Sequence, residues 1–526
     1  MKTALATKKR VETLSFICEL PLMATSVEEK ALLARLEAAR QVYNACLGEA
    51  KKRLALMQES RIYRKARLLP KGGDKRRDLF RQARQTHGFT DAAIQRYAVE
   101  LRRSWIGDHL DVHVAQKLAT RAFRAIEKMA VGKAKSVRFK GKHQMDTVEG
   151  KNNAAGIRWR EDHLEWMGLN LAAILDYRDP VVRHALGCRV KYCRLVRRKI
   201  KGRNRFYVQL VCEGKPYVKP KNHLGTDSLG LDLGPSTVAA VGEKRAVLRV
   251  FCADLASKER LIRILQRKMD RQRRANNPDN YNPDGTIKKG PKKWINSNRY
   301  IATREQLAEI HRRLAAHRRS LHGQLVNELL DMGNMFNLEK LSYKAFQKMY
   351  GRSVGKRAPG MFVSELRRKA ESAGGVVNEF PTGTTKLSRT CHCGEVHKKP
   401  LSERWHRCGC GVTAQRDLYS AFLAGFVDSE TNLLNAGRAK EAWPGADALL
   451  RAAFERAVEN QFASGRPVPS SFGATRSRSG SSAKTGAAVG TAERAKAKAR
   501  DVVVQLSGCG ESAGEAEVAA GRTPGL

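Results

Sequence analysis

The sequence predicts an α+β protein of several domains: a β-barrel interrupted by a helical insert, then an α/β domain that carries a small cysteine-rich insert. Three observations predict it. A chain of 526 residues is too long for one hydrophobic core. In the N-terminal half, a long run with helical spacing is bracketed by strand-like segments. In the C-terminal half, short strand-like runs bearing acids surround a dense group of cysteines.

"TLSFICELPL" (Thr13–Leu22) reads as a strand. In the segment that follows, Ser26 and Glu29 fit a capping box, and Leu32, Leu33, Leu36, Ala39, Val42, Tyr43, Cys46 and Leu47 fall at helical spacing, predicting a long amphipathic helix. Arginine-rich helices continue to about Met129, with Trp105 and Phe123 as expected core anchors. From "AKSVRFKGKHQ" the pattern changes to short strands, ending in "CRVKYCRLVRRKIKGRNRFYVQLVCEG", where "KGRN" reads as a turn between two basic strands. The first strand and these later ones are expected to close one barrel from residues 1–24 and 130–222, with 25–129 inserted as helices. "KPYVKPKNHLGTDS" (Lys215–Ser228) reads as a linker.

In "LGLDLGPSTVAAV" (Leu229–Val241), alternation sends Leu229, Leu231 and Leu233 to one face and Gly230, Asp232 and Gly234 to the other. "GPST" permits a tight turn and "TVAAV" returns as a second strand. A bare carboxylate between glycines suits a metal or a phosphate chain. Two arginine-rich helices follow, joined by "ANNPDNYNPDGTIKKGP", a hairpin insert over 254–330 whose basic face suits phosphate. "NMFNLEKLS" (Asn334–Ser342) bears Glu339 near its end, and "AQRDLYSAFLAGF" (Ala414–Phe426) places Asp417 at the start of an apolar helix. Three such acids supply the hard oxygen ligands that Mg²⁺ prefers. In a two-metal site they would hold ions that activate water and stabilise the leaving oxygen of a phosphodiester.

Of 11 cysteines, Cys391, Cys393, Cys408 and Cys410 cluster in "CHCGEVHKKPLSERWHRCGC", a donor set for Zn²⁺, with His392, His397 and His406 as alternative ligands. The scattered Cys46, Cys188 and Cys212 read as small buried apolar residues. After Glu430 a helix is expected in "GADALLRAAFERAVEN" (Gly445–Asn460), and most of 431–526 reads as a disordered tail. Lys and Arg total 99 against 52 Asp and Glu, a net charge of +47, which calls for a polyanionic partner. Nucleic acid fits better than a membrane, because no apolar run approaches the roughly 20 residues needed to span one. The N-terminus lacks a signal-peptide pattern, so a cytosolic location is expected.

From Leu229 to Phe426 the sequence resembles the RuvC-type nuclease domain of the transposon-encoded TnpB proteins and of the miniature type V CRISPR effectors. The matching pieces are "GLDLGPSTVAAV", the arginine-rich hairpin, "NLEKLS", "TTKLSRTCHCG", "RWHRCGCG" and "QRDLYSAFL". "RQVYNACL" and "VRFKGK" carry a looser likeness to the family's wedge and recognition domains. The resemblance implies a wedge-like β-barrel (1–24 and 130–222), a helical recognition domain (25–129) and an RNase H-like RuvC domain (223–385 and 413–430). It further implies that 386–412 form a zinc-ribbon-like insert that binds target nucleic acid.

By the same resemblance, Asp232, Glu339 and Asp417 are the catalytic ligands of two Mg²⁺, and the four clustered cysteines hold Zn²⁺. The implied activity is that of an RNA-guided endodeoxyribonuclease, a compact type V CRISPR effector of antiviral defence in a prokaryotic cytosol; separately from the resemblance, a monomer is expected ahead of a dimer. Its partners would be a guide RNA (a crRNA with or without a tracrRNA, or a transposon-derived RNA) and complementary double-stranded DNA beside a short flanking motif. A heteroduplex is held by its backbone. Arg197, Arg198, Lys199, Lys201, Arg203 and Arg205 are the candidate RNA contacts, and Arg102 and Arg103 the candidates for the heteroduplex.

This chain departs from the family pattern around the third acid and at the cysteine pairs. Gln415 replaces an Asp, Tyr419 replaces an Asn, and each cysteine pair is Cys-x-Cys rather than Cys-x-x-Cys. The alternatives are a TnpB nuclease, a cleavage-deficient RNA-guided binder, an ATPase of the actin and sugar-kinase type, and a guide-independent transposase or resolvase. The ATPase reading leaves the cysteines and the +47 charge unaccounted for.

Overall fold

In the computed structural model the described residues are 13–220, 223–400 and 402–473. They form two compact units that divide between Tyr217 and Val218, inside the segment expected to be a linker.

In the N-terminal unit, strand β1 (Ser15–Leu22) alternates strictly between exposed and buried residues. Helix α1 (Ser26–Glu59) begins with a capping box, shifted one residue from the expected Ser26 and Glu29. Thr25 keeps an extended backbone and is the cap: its hydroxyl accepts from the Glu28 N–H (3.3 Å), and its own N–H donates to the Glu28 carboxylate (2.8 Å). The apolar stripe is buried as the spacing predicts, with Leu32, Ala39, Val42, Cys46 and Leu47 fully inside. Helices α2 (Arg61–Leu68), α3 (Asp74–Thr86), α4 (Asp91–Leu101) and α5 (Val112–Ala130) complete the helical segment. Phe123 is in the core, but Trp105 is 52% exposed, contrary to expectation. It opens a short 3₁₀ turn whose inward residue is Ile106, so the indole is left at the rim.

The remaining elements of this unit are β2 (Thr147–Glu149), β3 (Arg158–Arg160), β4 (His163–Trp166), β5 (Leu169–Ala172), α6 (Pro180–Leu186), β6 (Val190–Ile200) and β7 (Arg203–Glu213). Two antiparallel sheets result, ordered β1-β7-β6-β2 and β3-β4-β5, and they meet at a bridge between Leu22 and Ala173. The β6–β7 turn is Lys201-Gly202, both at positive φ (48° and 78°), the pairing that matches strand twist in a two-residue hairpin. "VRFKGK" is not a strand. It runs extended along α1, where the Asn44 side chain brackets Lys140, donating to its carbonyl (2.8 Å) and accepting from its N–H (2.9 Å).

In the C-terminal unit, β8 (Asp227–Leu233), β9 (Thr237–Val241) and β10 (Ala246–Val250) form an antiparallel meander. Helices α7 (Glu259–Asn276) and α8 (Asn298–Met332) make the basic hairpin. The chain continues through β11 (Gly333–Glu339), α9 (Tyr343–Arg357), α10 (Pro359–Ala373), β12 (Val376–Phe380) and α11 (Thr382–Thr385). It then passes through β13 (Trp405–Arg407), β14 (Thr413–Gln415), α12 (Arg416–Ala424) and α13 (Ala436–Ala463). The main sheet is ordered β10-β9-β8-β11-β12, with β8, β11 and β12 parallel. The helix expected over Gly445–Asn460 starts at Ala436, because Ala439 and Ala446 extend its small buried stripe. Residues 474–526, most of the expected tail, lie outside the described residues.

Both faces of β8 are covered, each by the residues that alternation assigns to it. Leu229, Leu231 and Leu233 share a core with Val326 and Leu329 of α8 and Phe362 and Leu366 of α10. On the other face Gly230 lies against the backbone of α12: a Cβ there would come within 1.9 Å of the Ala421 carbonyl oxygen and 2.4 Å of the Gly425 nitrogen. Among the described residues no helix is long and apolar enough to cross a membrane. Gly230→Ala should therefore force α12 off the sheet and destabilise the chain by about 1–3 kcal/mol or more, the cost of overpacking. A lowered urea midpoint with an unchanged slope would register it.

Candidate active site and cysteine cluster

The close approach of β8 and α12 sets the acid site. Asp232 and Glu339 each lie one residue beyond the paired Leu231 and Leu338 at the ends of parallel strands β8 and β11, so both emerge at the same sheet edge. Asp417 lies in the first turn of α12, where the positive end of the helix dipole favours a carboxylate. The hydroxyl of Thr237, the last residue of "GPST" and the first of β9, donates to Asp417 Oδ2 at 3.1 Å. Arg416 Nε is 3.6 Å from Asp417 Oδ1, and its Nη1 is tied to the Glu403 carbonyl at 2.8 Å. Thr237 and Arg416 were not among the sequence candidates. A hydroxyl residue closing a turn beside a bare acid was the available signal for Thr237.

The electrostatics report crowding of like charge. Burial, then the negative charges of Asp417 and Glu339, push the Asp232 pKa well above the ordinary carboxylate range, against the single opposing pull of Arg416. Burial also raises Glu339, and a hydrogen bond from the Leu387 backbone works in the opposite sense. Among the described residues, the groups of three or more acids, histidines or cysteines with ligand atoms all within 4.8 Å are both at the cysteine cluster, so the three acids are spread more widely.

Gln415 is the N-cap of α12. Its side-chain carbonyl accepts from the Leu418 N–H at 2.8 Å, and its amide donates to the Ser471 carbonyl at 3.3 Å. The C-terminal segment thus reaches back to the start of the acid-bearing helix, anchored by the buried Phe472 and by Trp405 Nε1 donating to the Gly473 carbonyl (3.0 Å).

The two cysteine pairs fold alike. In each Cys-x-Cys-Gly run the glycine N–H returns to the first cysteine's carbonyl (Gly394 to Cys391, 3.0 Å; Gly411 to Cys408, 3.1 Å), with glycine φ of 94° and 96°. Only glycine takes that conformation without strain. The four sulfurs face one another, Cys391 to Cys410 at 3.6 Å and Cys393 to Cys408 at 3.5 Å. Tetrahedral zinc with bonds of about 2.3 Å sets sulfurs about 3.8 Å apart. The donors therefore fit a metal such as zinc, the shortened spacing notwithstanding. Burial pushes the Cys391 thiol up to about 12, and a bound cation reverses that sense.

The histidines hold other positions. His397 joins Glu395 and Cys408 at the cluster's edge. His392 Nδ1 lies 3.0 Å from the Tyr419 hydroxyl, and His406 Nδ1 lies 2.6 Å from Lys399 Nζ.

The basic candidates are unevenly disposed. Arg197 is paired with Asp146 (2.8 Å) and Arg198 makes a bidentate pair with Glu19 (2.5 and 2.6 Å), so both are engaged by acids of their own unit at its surface. Lys199, Lys201, Arg203 and Arg205 are exposed around the β6–β7 turn. Arg102 Nε donates to the Leu110 carbonyl at 2.7 Å, while Arg103 is exposed beside Trp105. Cys46 and Cys212 are fully buried and burial pushes each thiol up to about 12, whereas Cys188 is half-buried.

No family model and no curated protein matches the chain. Among solved structures it is similar to a chain of the "Cryo-EM structure of the Cas12f1-sgRNA-target DNA complex", at TM-score 0.37 and 12% identity, over 78% of this chain and 98% of that one. A second is a chain of the "Cryo-EM structure of CRISPR-Cas12f Ternary Complex", at TM-score 0.26 and 11% identity, over 76% and 82%. These structural neighbours are Cas12f chains, of the miniature type V class whose motifs the sequence resembles.

The raised Asp232 pKa means that the folded chain holds this proton more tightly than the unfolded chain. Ionising Asp232 therefore costs stability, nothing below the unfolded value near pH ~4 and progressively more as pH rises through the folded value. Asp232→Asn should melt at a higher temperature than the parent at pH 7 in chelator, and the gap should close towards pH ~4. Calorimetry across that range measures it.

Proposed function

We propose that the chain is an RNA-guided DNA endonuclease with a single RuvC-type site on an RNase H-like domain, in which Asp232, Glu339 and Asp417 hold two Mg²⁺. The observation that carries this reading is the gathering of three acids from β8, β11 and α12, close enough that, after burial, the charges of Asp417 and Glu339 help to raise the Asp232 pKa. At Asp232 the opposing positive charge is that of Arg416, and the hard oxygens of an all-carboxylate set suit Mg²⁺.

Oxygens bound to one Mg²⁺ lie within about 4.2 Å of one another, twice the ~2.1 Å bond. The proposed pair of ions would lie about 3.5–4 Å apart, with the three acids as its oxygen ligands. When bound, the pair would supply an activated water and charge stabilisation of the leaving oxygen. The chain's own contribution is positional. The strand ends fix Asp232 and Glu339, Thr237 orients Asp417 through Oδ2, and Arg416 holds the other oxygen of that carboxylate.

The +47 charge supports a nucleic-acid partner, and the exposed Lys199, Lys201, Arg203 and Arg205 are the proposed RNA contacts. The cysteine cluster is proposed to be a zinc site of a target-binding insert. A guide RNA and complementary double-stranded DNA beside a flanking motif are the proposed partners, and defence is the proposed setting. Both departures beside Asp417 keep a structural role, Gln415 as a cap and Tyr419 as a buried packing residue, which favours a competent site over a degenerate one. Asp232→Ala should abolish Mg²⁺-dependent cleavage of matched DNA while leaving guide-dependent DNA binding within about twofold. Gel assays with purified protein, its co-purifying RNA and target read both, and unchanged cutting would refute the site.

A further inference from the structure

Tyr419 sits two residues after Asp417 on α12 and is 1% exposed. Its ring lies 4.2 Å from His406 and edge-on to Trp443 at 5.3 Å. Its hydroxyl stands 3.3 Å from the Cys391 sulfur, 3.1 Å from the His392 backbone nitrogen and 3.0 Å from His392 Nδ1. A phenol carries one proton and accepts two more. The His392 N–H donates to the oxygen; with the His392 ring in its Nδ1–H tautomer that group donates as well, and the phenol's own proton is then left for sulfur. A metal-bound thiolate is an acceptor for that proton, and hydrogen bonds to a ligand from outside the coordination sphere tune metal sites.

We propose that Tyr419 is a positioning residue joining the metal state of the cysteine cluster to the helix that carries Asp417, through an O–H···S hydrogen bond to Cys391. With metal bound, Cys391 is held as a thiolate and draws the hydroxyl towards it, fixing the first turn of α12. Without metal, the thiol is a weak partner and that turn is released. The role of Asp417 in this scheme rests on the nuclease reading above. The O–H···S bond does not.

The test uses the full chain loaded with Co²⁺ in place of Zn²⁺. Tyr419→Phe keeps the ring and loses the hydroxyl. It should weaken metal binding in a chelator competition by about tenfold, the lower end of such effects, and move the sulfur-to-cobalt charge-transfer band to lower energy. A chain made with 3-fluorotyrosine, a stronger phenol donor in the same packing, should move that band to higher energy. In the parent, stripping the metal should speed amide exchange at Leu418–Ala424, and in Tyr419→Phe the metal should make little difference there. Unchanged affinity and band position in both altered chains would overturn the proposal, as would failure of the four thiols to take up metal. Absence of DNA cleavage by the parent chain with these readouts intact would count against the nuclease reading alone.

Discussion

The C-terminal unit depends on one backbone contact, the seating of α12 on the bare face of β8 at Gly230. Any side chain there would collide with the Ala421 carbonyl. Because the helix lies that close, its first turn comes to the end of the strand, and Asp417 faces Asp232 across a gap that a wider helix-to-strand spacing would open. The cost of the arrangement is electrostatic. Three acids share one partly buried edge, and Asp232 retains its proton well beyond the ordinary range. Sites that bind cations are commonly unstable for this reason, since the ligand set is built for a charge that the protein itself does not supply.

The same helix is fixed at both ends by groups remote in sequence. At its start, Gln415 caps the first turn and is itself tied to Ser471 near the end of the described chain. One turn later, Tyr419 enters the aromatic cluster of His392, His406 and Trp443 beside the cysteine sulfurs. Both positions are departures from the family pattern, and both are occupied by residues with specific partners. Gln offers an acceptor to the helix N-terminus as Asp does, while its amide adds a donor. The C-terminal segment, the cysteine insert and the acid site are thereby one packed body, with the core of α12, α13 and the cysteine hairpins as its common interior.

Basic residues show how far composition alone can mislead about individual side chains. Arg197 and Arg198 stand in a strongly basic stretch of the chain, yet Arg198 is bound to Glu19 of its own sheet and Arg197 to Asp146, just before β2. Arg35 is buried in α1 and donates to the carbonyls of Trp166 and Met167, so it acts as a core residue despite its charge. A net charge identifies a partner class, because it is a sum over the chain. Which guanidinium meets that partner depends on which acids the fold brings beside each one.

What the sequence determined by itself was everything governed by local spacing: the period-two run of β1 and β8, the stripe of α1, the "GPST" hairpin, the helical start at Asp417 and the grouping of the four cysteines. Alternation also named the faces of β8 correctly, since a strand's side chains must point in turn to opposite sides. Tertiary structure alone decided what those faces touch. Asn44 and Lys140 lie in separate motifs with no spacing rule between them, and their pairing appears only once the extended segment lies along α1. Trp105 has the bulk of a core residue, but the turn that carries it leaves only Ile106 facing inward. The contacts of Thr237 with Asp417 and of Tyr419 with Cys391 are of the same kind. Each joins residues far apart along the chain, and hydrogen bonds at 3.1–3.3 Å follow from packing distances that no local pattern encodes.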